Sequence, residues 1–272
     1  MSKEINQNEI ADFLEKILKN SIKFFKDIDL KNLKASFKSD NSPVTQIDLK
    51  IDSYLKAELR RFDKNISILS EESGSSNRKS NLLWIIDPID GTKEFINGSN
   101  EFTLNIALIE KKKPIFGAIF QPMTNTLYLG GNKFKPQKIK NEKRSSLLSD
   151  KKESLFNIIL SKSHSNSKEE AFCREVISIH DNSKIIRMGS SLKFCKLCDG
   201  SAAIYPRFGD INSWDIAAGH AILKASGGDI LDKNFKTLSY SIKKKQIING
   251  FVAFSKKEHL NFLKKYFFDL FL

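Results

Sequence analysis

The residues best suited to chemistry lie in Asp87-Pro88-Ile89-Asp90-Gly91-Thr92, where two carboxylates three residues apart flank a proline and are followed at once by Gly-Thr. Carboxylates so spaced can turn back on one point from a tight loop. Oxygen ligands of that kind suit Mg²⁺, which keeps several of its waters and shares its remaining positions with substrate phosphate. Gly91 lets the backbone approach a ligand closely, and the N–H groups of a helix starting near Thr92 would point at an anion. Taken alone, a strand-to-helix turn with Asp87 as a cap and Asp90 as a turn residue accounts for the same residues equally well.

Other acidic groups lie within reach of that segment. Leu82 to Ile86 is a short apolar, β-branched run that reads as a buried strand delivering Asp87, and Pro88 is expected to end it. Ile66 to Leu69 reads as the preceding strand, with Glu71-Glu72 at its end before a Gly/Ser-rich loop; pairing of these neighbours would bring both acidic groups together. Asp48 sits beside the apolar stripe Ile47, Ile51, Leu55 and Leu59 near a helix start, where a carboxylate commonly complements the helix dipole. Cys195-Lys196-Leu197-Cys198 has half the spacing of a zinc or redox site, but no second close cysteine pair exists and the four histidines are scattered.

The elements that must position these groups follow from periodicity. Ile10, Phe13, Leu14, Ile17, Leu18 and Ile22 mark a first amphipathic helix, and Asp40 to Thr45 a turn into the second. Phe102 to Ile109, Pro114 to Phe120 and Thr126 to Leu129 read as a β-meander. The polar, basic stretch from about Lys133 to Glu153 lacks apolar periodicity and is the expected boundary between an N-terminal α+β metal-binding domain (1–145) and a C-terminal α/β domain (146–272) that completes the site. Beyond it strands and helices alternate: Leu155 to Leu160, a helix near Lys168 to Ile179, Ile185 to Met188, a helix from about Ser190 to Cys198, and Ala202 to Tyr205. A helix over about Trp214 to Ala225, stopped by Gly227-Gly228, a strand over Gly250 to Phe254 and a helix over Lys257 to Phe268 complete the α/β pattern.

Composition narrows the classes. With 272 residues, 40% hydrophobic and 28% charged, the chain matches an ordinary globular protein. No apolar stretch approaches membrane-spanning length, the N-terminus lacks a signal-peptide core, and three cysteines give no disulfide framework, so a cytoplasmic location is expected. The formal charge of +13 is spread along the whole length, with runs such as Lys111-Lys112-Lys113 and Lys243-Lys244-Lys245 placed in turns. No basic stripe interleaved with aromatics marks a site for polymeric nucleic acid. A positive surface would attract a polyanionic small substrate, and peripheral attachment to the cytoplasmic face of an inner membrane is compatible with it.

Glu71-Glu72, Asp87 to Thr92, and Trp214-Asp215-Ile216-Ala217-Ala218-Gly219 occur in an order and spacing that resembles the inositol monophosphatase-like superfamily of metal-dependent phosphomonoesterases. Asp40 to Thr45, Leu69 to Glu72, Gly91 to Phe95, Gly189 to Cys195 and Tyr205 to Gly209 resemble its bacterial 3′(2′),5′-bisphosphate nucleotidase branch. The resemblance implies a layered αβαβα sandwich of the inositol monophosphatase and fructose-1,6-bisphosphatase type. It implies Glu71, Asp87, Asp90 and Asp215, with the Ile89 carbonyl, as ligands of two or three Mg²⁺ per active site, and it is compatible with a homodimer. Asp48 and Thr92 would orient and help deprotonate the attacking water, with Glu72 behind the ligands.

The implied reaction is hydrolysis of adenosine 3′,5′-bisphosphate to AMP and phosphate, with 3′-phosphoadenylyl sulfate a second substrate and lithium an inhibitor. Glu71, Ile89, Asp90, Gly91, Thr92 and Asp215 would face the scissile phosphate. Gly189, Ser190 and Ser191 could hold a phosphate at a helix start, and Lys193, Tyr205 and Arg207 could meet the 5′-phosphate or the adenine, although capping and core packing explain this group too. One departure from the family pattern is Asp210-Ile211-Asn212-Ser213, where a proline-containing, less acidic loop is expected. An inositol or sugar phosphate phosphatase on the same core is the alternative enzyme. A non-catalytic basic protein binding nucleic acid or a membrane surface is the alternative of another class.

Overall fold

Hydrophobic alternation sorts this chain into five layers. The structure is a computed structural model and describes residues 6–26, 28, 35–38, 43–76, 80–148, 156–180, 182–241 and 246–267. The first half of the expected turn before the second helix, residues 40–42, lies outside them, as do the end of the expected boundary and Leu155 of the strand after it, the Lys243–Lys245 run and the end of the last expected helix at Phe268.

Helices α1 (Gln7–Asn20) and α2 (Gln46–Phe62) form the first layer. Ile51, Leu55 and Leu59 recur every four residues, so one face of α2 is wholly buried. Truncating Leu55 to alanine there would cost about 2–5 kcal/mol. These helices pack on an eight-stranded sheet of β3 (Ser67–Ser70), β4 (Gly74–Ser76), β5 (Leu82–Asp90), β6 (Thr103–Glu110), β7 (Lys113–Gln121), β8 (Thr126–Gly131), β9 (Phe134–Lys140) and β10 (Lys143–Ser146). Two further short strands, β1 (Ala35–Phe37) and β2 (Pro43–Thr45), pair with each other ahead of α2.

The alternation of β5 decides what each face meets. Trp84 and Ile86 join the core under α1 and α2, while Leu83 and Ile85 join a second core on the opposite face. That second core is shared with α5 (Leu192–Cys198) and α6 (Ser213–Ala225), the middle layer. Beyond it lies a five-stranded sheet, ordered β12-β11-β13-β15-β14, of β11 (Ile158–Ser161), β12 (Ile185–Met188), β13 (Ile204–Asn212), β14 (Asp229–Leu231) and β15 (Ile247–Phe254). Its outer face packs on α4 (Ser167–Ile179) and on Leu263 of α7 (Lys257–Phe267). A short helix, α3 (Thr92–Ile96), follows β5. The expected αβαβα sandwich is the observed architecture, and no helix among the described residues is long and apolar enough to cross a membrane.

Three expectations are corrected. Pro88 does not end its strand; β5 runs on to Asp90 through a bulge, where a residue without an N–H loses nothing. The basic stretch after Lys133 is not structureless, for β9 and β10 form a hairpin at the sheet edge. Only residues such as Pro136 and Ile139 bury there, so alternation was too sparse to read. Asp210-Ile211-Asn212 is no loop but the end of β13, reached through a second bulge between Arg207 and Asp210.

Candidate active site

Register brings the acidic residues together. β3 and β5 are parallel with Ser70 beside Ile86, and the Glu71 amide continues the ladder onto the Ile86 carbonyl at 3.2 Å. Glu71 therefore stands beside Asp87, on the face that Leu69 and Ile85 share. Residues three apart on a regular strand point to opposite faces. Here Asp87 pairs with Asn105 and Asp90 with Thr103, so β5 spends three steps where β6 spends two, and the extra residue of the bulge returns Asp90 to the Asp87 face.

Asp215 arrives from the first turn of α6, where its Oδ2 accepts the Asn212 amide at 3.2 Å. One carboxylate oxygen each of Glu71, Asp87 and Asp215 lie within 4.8 Å of one another. Asp90 adjoins them and accepts from Ser191 Oγ at 2.5 Å and Asn105 Nδ2 at 3.2 Å. Burial, then the charges of Glu71, Asp90 and Asp215, push the Asp87 carboxyl well above its ordinary range. Burial followed by Asp90 and Glu71 does the same to Asp215. Glu71 and Asp90 are also raised by burial, held back by Lys38 and Lys193 respectively.

Asp48 and Thr92 meet across 44 residues of sequence: Thr92 Oγ1 lies 3.1 Å from Asp48 Oδ1 and 3.0 Å from the Ile89 carbonyl. Asp48 Oδ2 accepts the Thr45 amide at 2.8 Å and its hydroxyl at 2.5 Å, so the carboxylate also closes the capping box of α2. Burial raises its carboxyl despite these donors. Lys38 Nζ lies 2.7 Å from both Glu71 Oε1 and Glu72 Oε1. Burial nevertheless pushes Glu72 up to about 7.

The cluster lines a cavity of about 360 Å³, with Lys93, Gly189, Ser190, Lys193 and Arg207 also among its walls. Gly91, at φ 91°, caps α3 in the left-handed region, and a Cβ there would meet Ser190 at 3.3 Å. Gly189 is packed as closely: a Cβ on it would meet Glu94 at 2.9 Å. Neither Gly189 nor Ser191 is idle, since the Gly189 amide donates to Glu101 Oε2 at 3.1 Å and Ser191 to Asp90. The buried Lys193 ammonium donates to the Ser190 carbonyl at 2.5 Å and lies 5.6 Å from the Tyr205 ring centroid; burial lowers its pKa, opposed by Asp90. Tyr205 itself is 1% exposed and packs edge-on against Phe194 and Phe251. Asp210 lies at the rim, accepting from Asn249 at 2.8 Å.

Several site residues escaped the sequence reading. Asn105 bridges Asp90 and Ser191, and only its register opposite Asp87 signals it. His164 and Glu94 line the cavity, and Lys38, just after β1, pairs with its Glu71; the Gly91 to Phe95 block gives Glu94 no role of its own, and no pattern announces His164 or Lys38. Cys195 and Cys198 are buried free thiols raised by burial and face the core shared with α6, not the cavity.

A hard cation fits the donor set. Both Asp87 oxygens are buried and accept no hydrogen bond from any donor among the described residues, an expensive state for a carboxylate unless a cation completes it. All the converging ligands are oxygens, as Mg²⁺ or Ca²⁺ prefers, and no cysteine or histidine joins them.

The profile of the inositol monophosphatase family matches residues 4–264. The chain is 38% identical over 230 residues to the 3′(2′),5′-bisphosphate nucleotidase CysQ of Buchnera aphidicola, covering 82% of this chain and 84% of that one. It is 36% identical over 217 residues to CysQ of Escherichia coli strain K12, covering 79% and 86%. Among solved structures, CysQ of Bacteroides thetaiotaomicron superposes with a TM-score of 0.77 at 29% identity, covering 93% of this chain and all of that one. An inositol monophosphatase of Thermotoga maritima superposes at 0.73 and 24% identity over 94% and 96%, a likeness of fold alone.

Proposed function

The chain belongs to the inositol monophosphatase family, and from that premise we propose that it is a Mg²⁺-dependent 3′(2′),5′-bisphosphate nucleotidase that hydrolyses adenosine 3′,5′-bisphosphate to AMP and phosphate. The two CysQ relatives, similar over most of both chains, are named 3′(2′),5′-bisphosphate nucleotidases. The observation that carries the reading is Asp87, a buried carboxylate with no donor among the described residues, standing with Glu71 and Asp215 in the lining of a cavity that Lys93, Lys193 and Arg207 also line. The carboxylates of that lining suit a cation, and its basic side chains suit a second phosphate.

In this reading Glu71, Asp87, Asp90 and Asp215, with the Ile89 carbonyl, hold the metal. When bound, Mg²⁺ supplies charge neutralisation for the phosphoryl oxygens and acidifies water. The chain's own residues do the rest. Asp90 is held at one oxygen by Ser191 and Asn105, which fixes its rotamer. Thr92 Oγ1, within reach of Asp48 Oδ1, orients the attacking water and passes its proton toward that carboxylate. Thr45 fixes Asp48 in turn through two donors, so the acceptor is oriented before substrate arrives. Arg207 and Lys193 supply positive charge to the 5′-phosphate, and the 189–191 turn shapes the wall between the two phosphates.

Phosphate release from adenosine 3′,5′-bisphosphate, measured with and without Mg²⁺, tests the proposal. Activity should need the metal and collapse in Asp90→Asn. Turnover unchanged in that variant would remove the metal assignment, and a higher kcat/KM for inositol 1-phosphate than for the nucleotide would make the enzyme an inositol phosphatase instead.

A further inference from the structure

The bulge that aims Arg207 has an anchor outside the cavity. In β13, Phe208 and Gly209 stand opposite Gly250 alone, so the bulge takes the Phe208 amide out of the regular ladder. Glu169 Oε1 accepts that amide at 2.8 Å. The Glu169 carboxylate is wholly buried, and its other oxygen accepts the Asn166 amide at 3.2 Å in the capping box of α4, so its position is set by the helix start. The same Oε1 lies 4.0 Å from Arg207 Nη1, with both side chains almost completely shielded from water.

Arg207 is held on its other sides by backbone. Nη1 donates to the His164 carbonyl and Nη2 to the Asp210 carbonyl at 3.3 Å, while the buried Nε has no acceptor among the described residues. The guanidinium is thus fixed in orientation by backbone carbonyls where it lines the cavity. Without Glu169 the bulge amide and the shielded guanidinium would both lose their partner, and the arginine would lose its aim.

We propose that Glu169 is a positioning residue for the second-phosphate subsite: through the Phe208 amide and Arg207 it sets the preference for a doubly phosphorylated nucleotide over a singly phosphorylated one. This rests on the reading above, in which Arg207 meets the 5′-phosphate.

The test compares steady-state hydrolysis of adenosine 3′,5′-bisphosphate and of 3′-AMP, the same ester without the 5′-phosphate, by wild type, Glu169→Gln, Glu169→Ala, Arg207→Ala and the double variant Glu169→Gln/Arg207→Ala. In the Glu169 variants KM for the bisphosphate should rise about ten-fold, the worth of one charge-assisted contact, with kcat little changed. The preference between substrates should narrow by the same factor, and the double variant should lose no more than Arg207→Ala. An equal loss on both substrates, additive losses, or a lower KM for the bisphosphate would each overturn the proposal, the last by showing that Glu169 weakens the arginine's field instead of aiming it. A preference abolished by Arg207→Ala yet intact in both Glu169 variants overturns this inference alone. A wild type with no preference for the bisphosphate overturns the substrate reading and this inference with it.

Discussion

Two buried polar sites flank α6, and they are built on opposite terms. Near its middle, His220 is fully buried and fully satisfied: Nδ1 lies 2.8 Å from the Tyr240 hydroxyl and Nε2 2.7 Å from Asp229 Oδ1. At its start, Asp215 joins Asp87, which is just as deeply buried and has no hydrogen-bond donor among the described residues. A folded chain gains nothing by leaving a carboxylate in that state, and three like charges beside it make matters worse. The difference teaches that a buried carboxylate left without a donor, among other carboxylates, serves a ligand, whereas a buried histidine with both nitrogens paired serves the fold.

The largest effects should fall on opposite properties at the two sites. Asp87→Ala should cut phosphate release by about a thousand-fold or more, since several kcal/mol of transition-state stabilisation leave with the metal. His220→Ala should leave the chemistry in place but lower unfolding free energy by about 3 kcal/mol, through a cavity and the buried Tyr240 hydroxyl left without His220. Urea denaturation read beside a phosphate assay separates them. A thousand-fold activity loss in His220→Ala with unchanged stability would erase the distinction.

Adding metal should act on one site only. Mg²⁺ at a hundred times its Kd should stabilise the protein by about 2.7 kcal/mol, seen as a rise in melting temperature that a chelator reverses. The rise should survive in His220→Ala and vanish in Asp87→Ala. Survival in both would place the cation elsewhere.

Satisfaction at a buried histidine also depends on its protonation state, which pH can break. His259 pairs with Ser255 at 3.0 Å, lies edge-on to Phe156, and is lowered by burial to about 4. Because the folded state favours the neutral ring, its contribution is fully present above the unfolded pKa of 6.5 and is lost as pH falls toward the folded value. At pH 5 wild type should have lost about 2 kcal/mol relative to His259→Gln, whose side chain does not titrate. The acidic cluster titrates in both proteins, so the difference between their melting curves isolates the histidine. Parallel curves from pH 7 to 5 would show that the ring is free to protonate.

The contrast between the sites also marks how far the sequence could be read. The α1 and α2 stripes, the meander and the strand–helix alternation after residue 156 were legible because each depends on local periodicity, and the five-layer sandwich follows once those faces pair. The carboxylates were legible as residue types at family spacing. What joins them was not. The bulge that turns Asp90 onto the Asp87 face is defined by β6, fifteen residues or so downstream, and Asn105 matters only through that register. Lys38 and His164 come from short, polar segments with no hydrophobic pattern to fix where they end. Strands β9 and β10 were hidden because an edge hairpin with few buried residues carries little alternation.

The smallest effect is also the one that most directly opposes the two sites. In metal-free protein, Asp87→Asn removes one charge from a cluster in which Glu71, Asp90 and Asp215 all raise the cost of ionising it. The amide keeps the shape of the side chain and can donate to a neighbouring carboxylate that now has no donor from this position. The variant should therefore be more stable than metal-free wild type, by about 1 kcal/mol, the net worth of one hydrogen bond gained without a new orphan. The corresponding isosteric change at Asp229 replaces the carboxylate that His220 Nε2 meets and Lys224 pairs with by a neutral amide, and should be destabilising by at least as much. Adding Mg²⁺ should then reverse the first ranking, because wild type gains the metal's stabilisation and Asp87→Asn does not. A metal-free Asp87→Asn that melts below wild type would mean that the fold itself uses the Asp87 charge, and the site would lose its claim to be held open for a ligand.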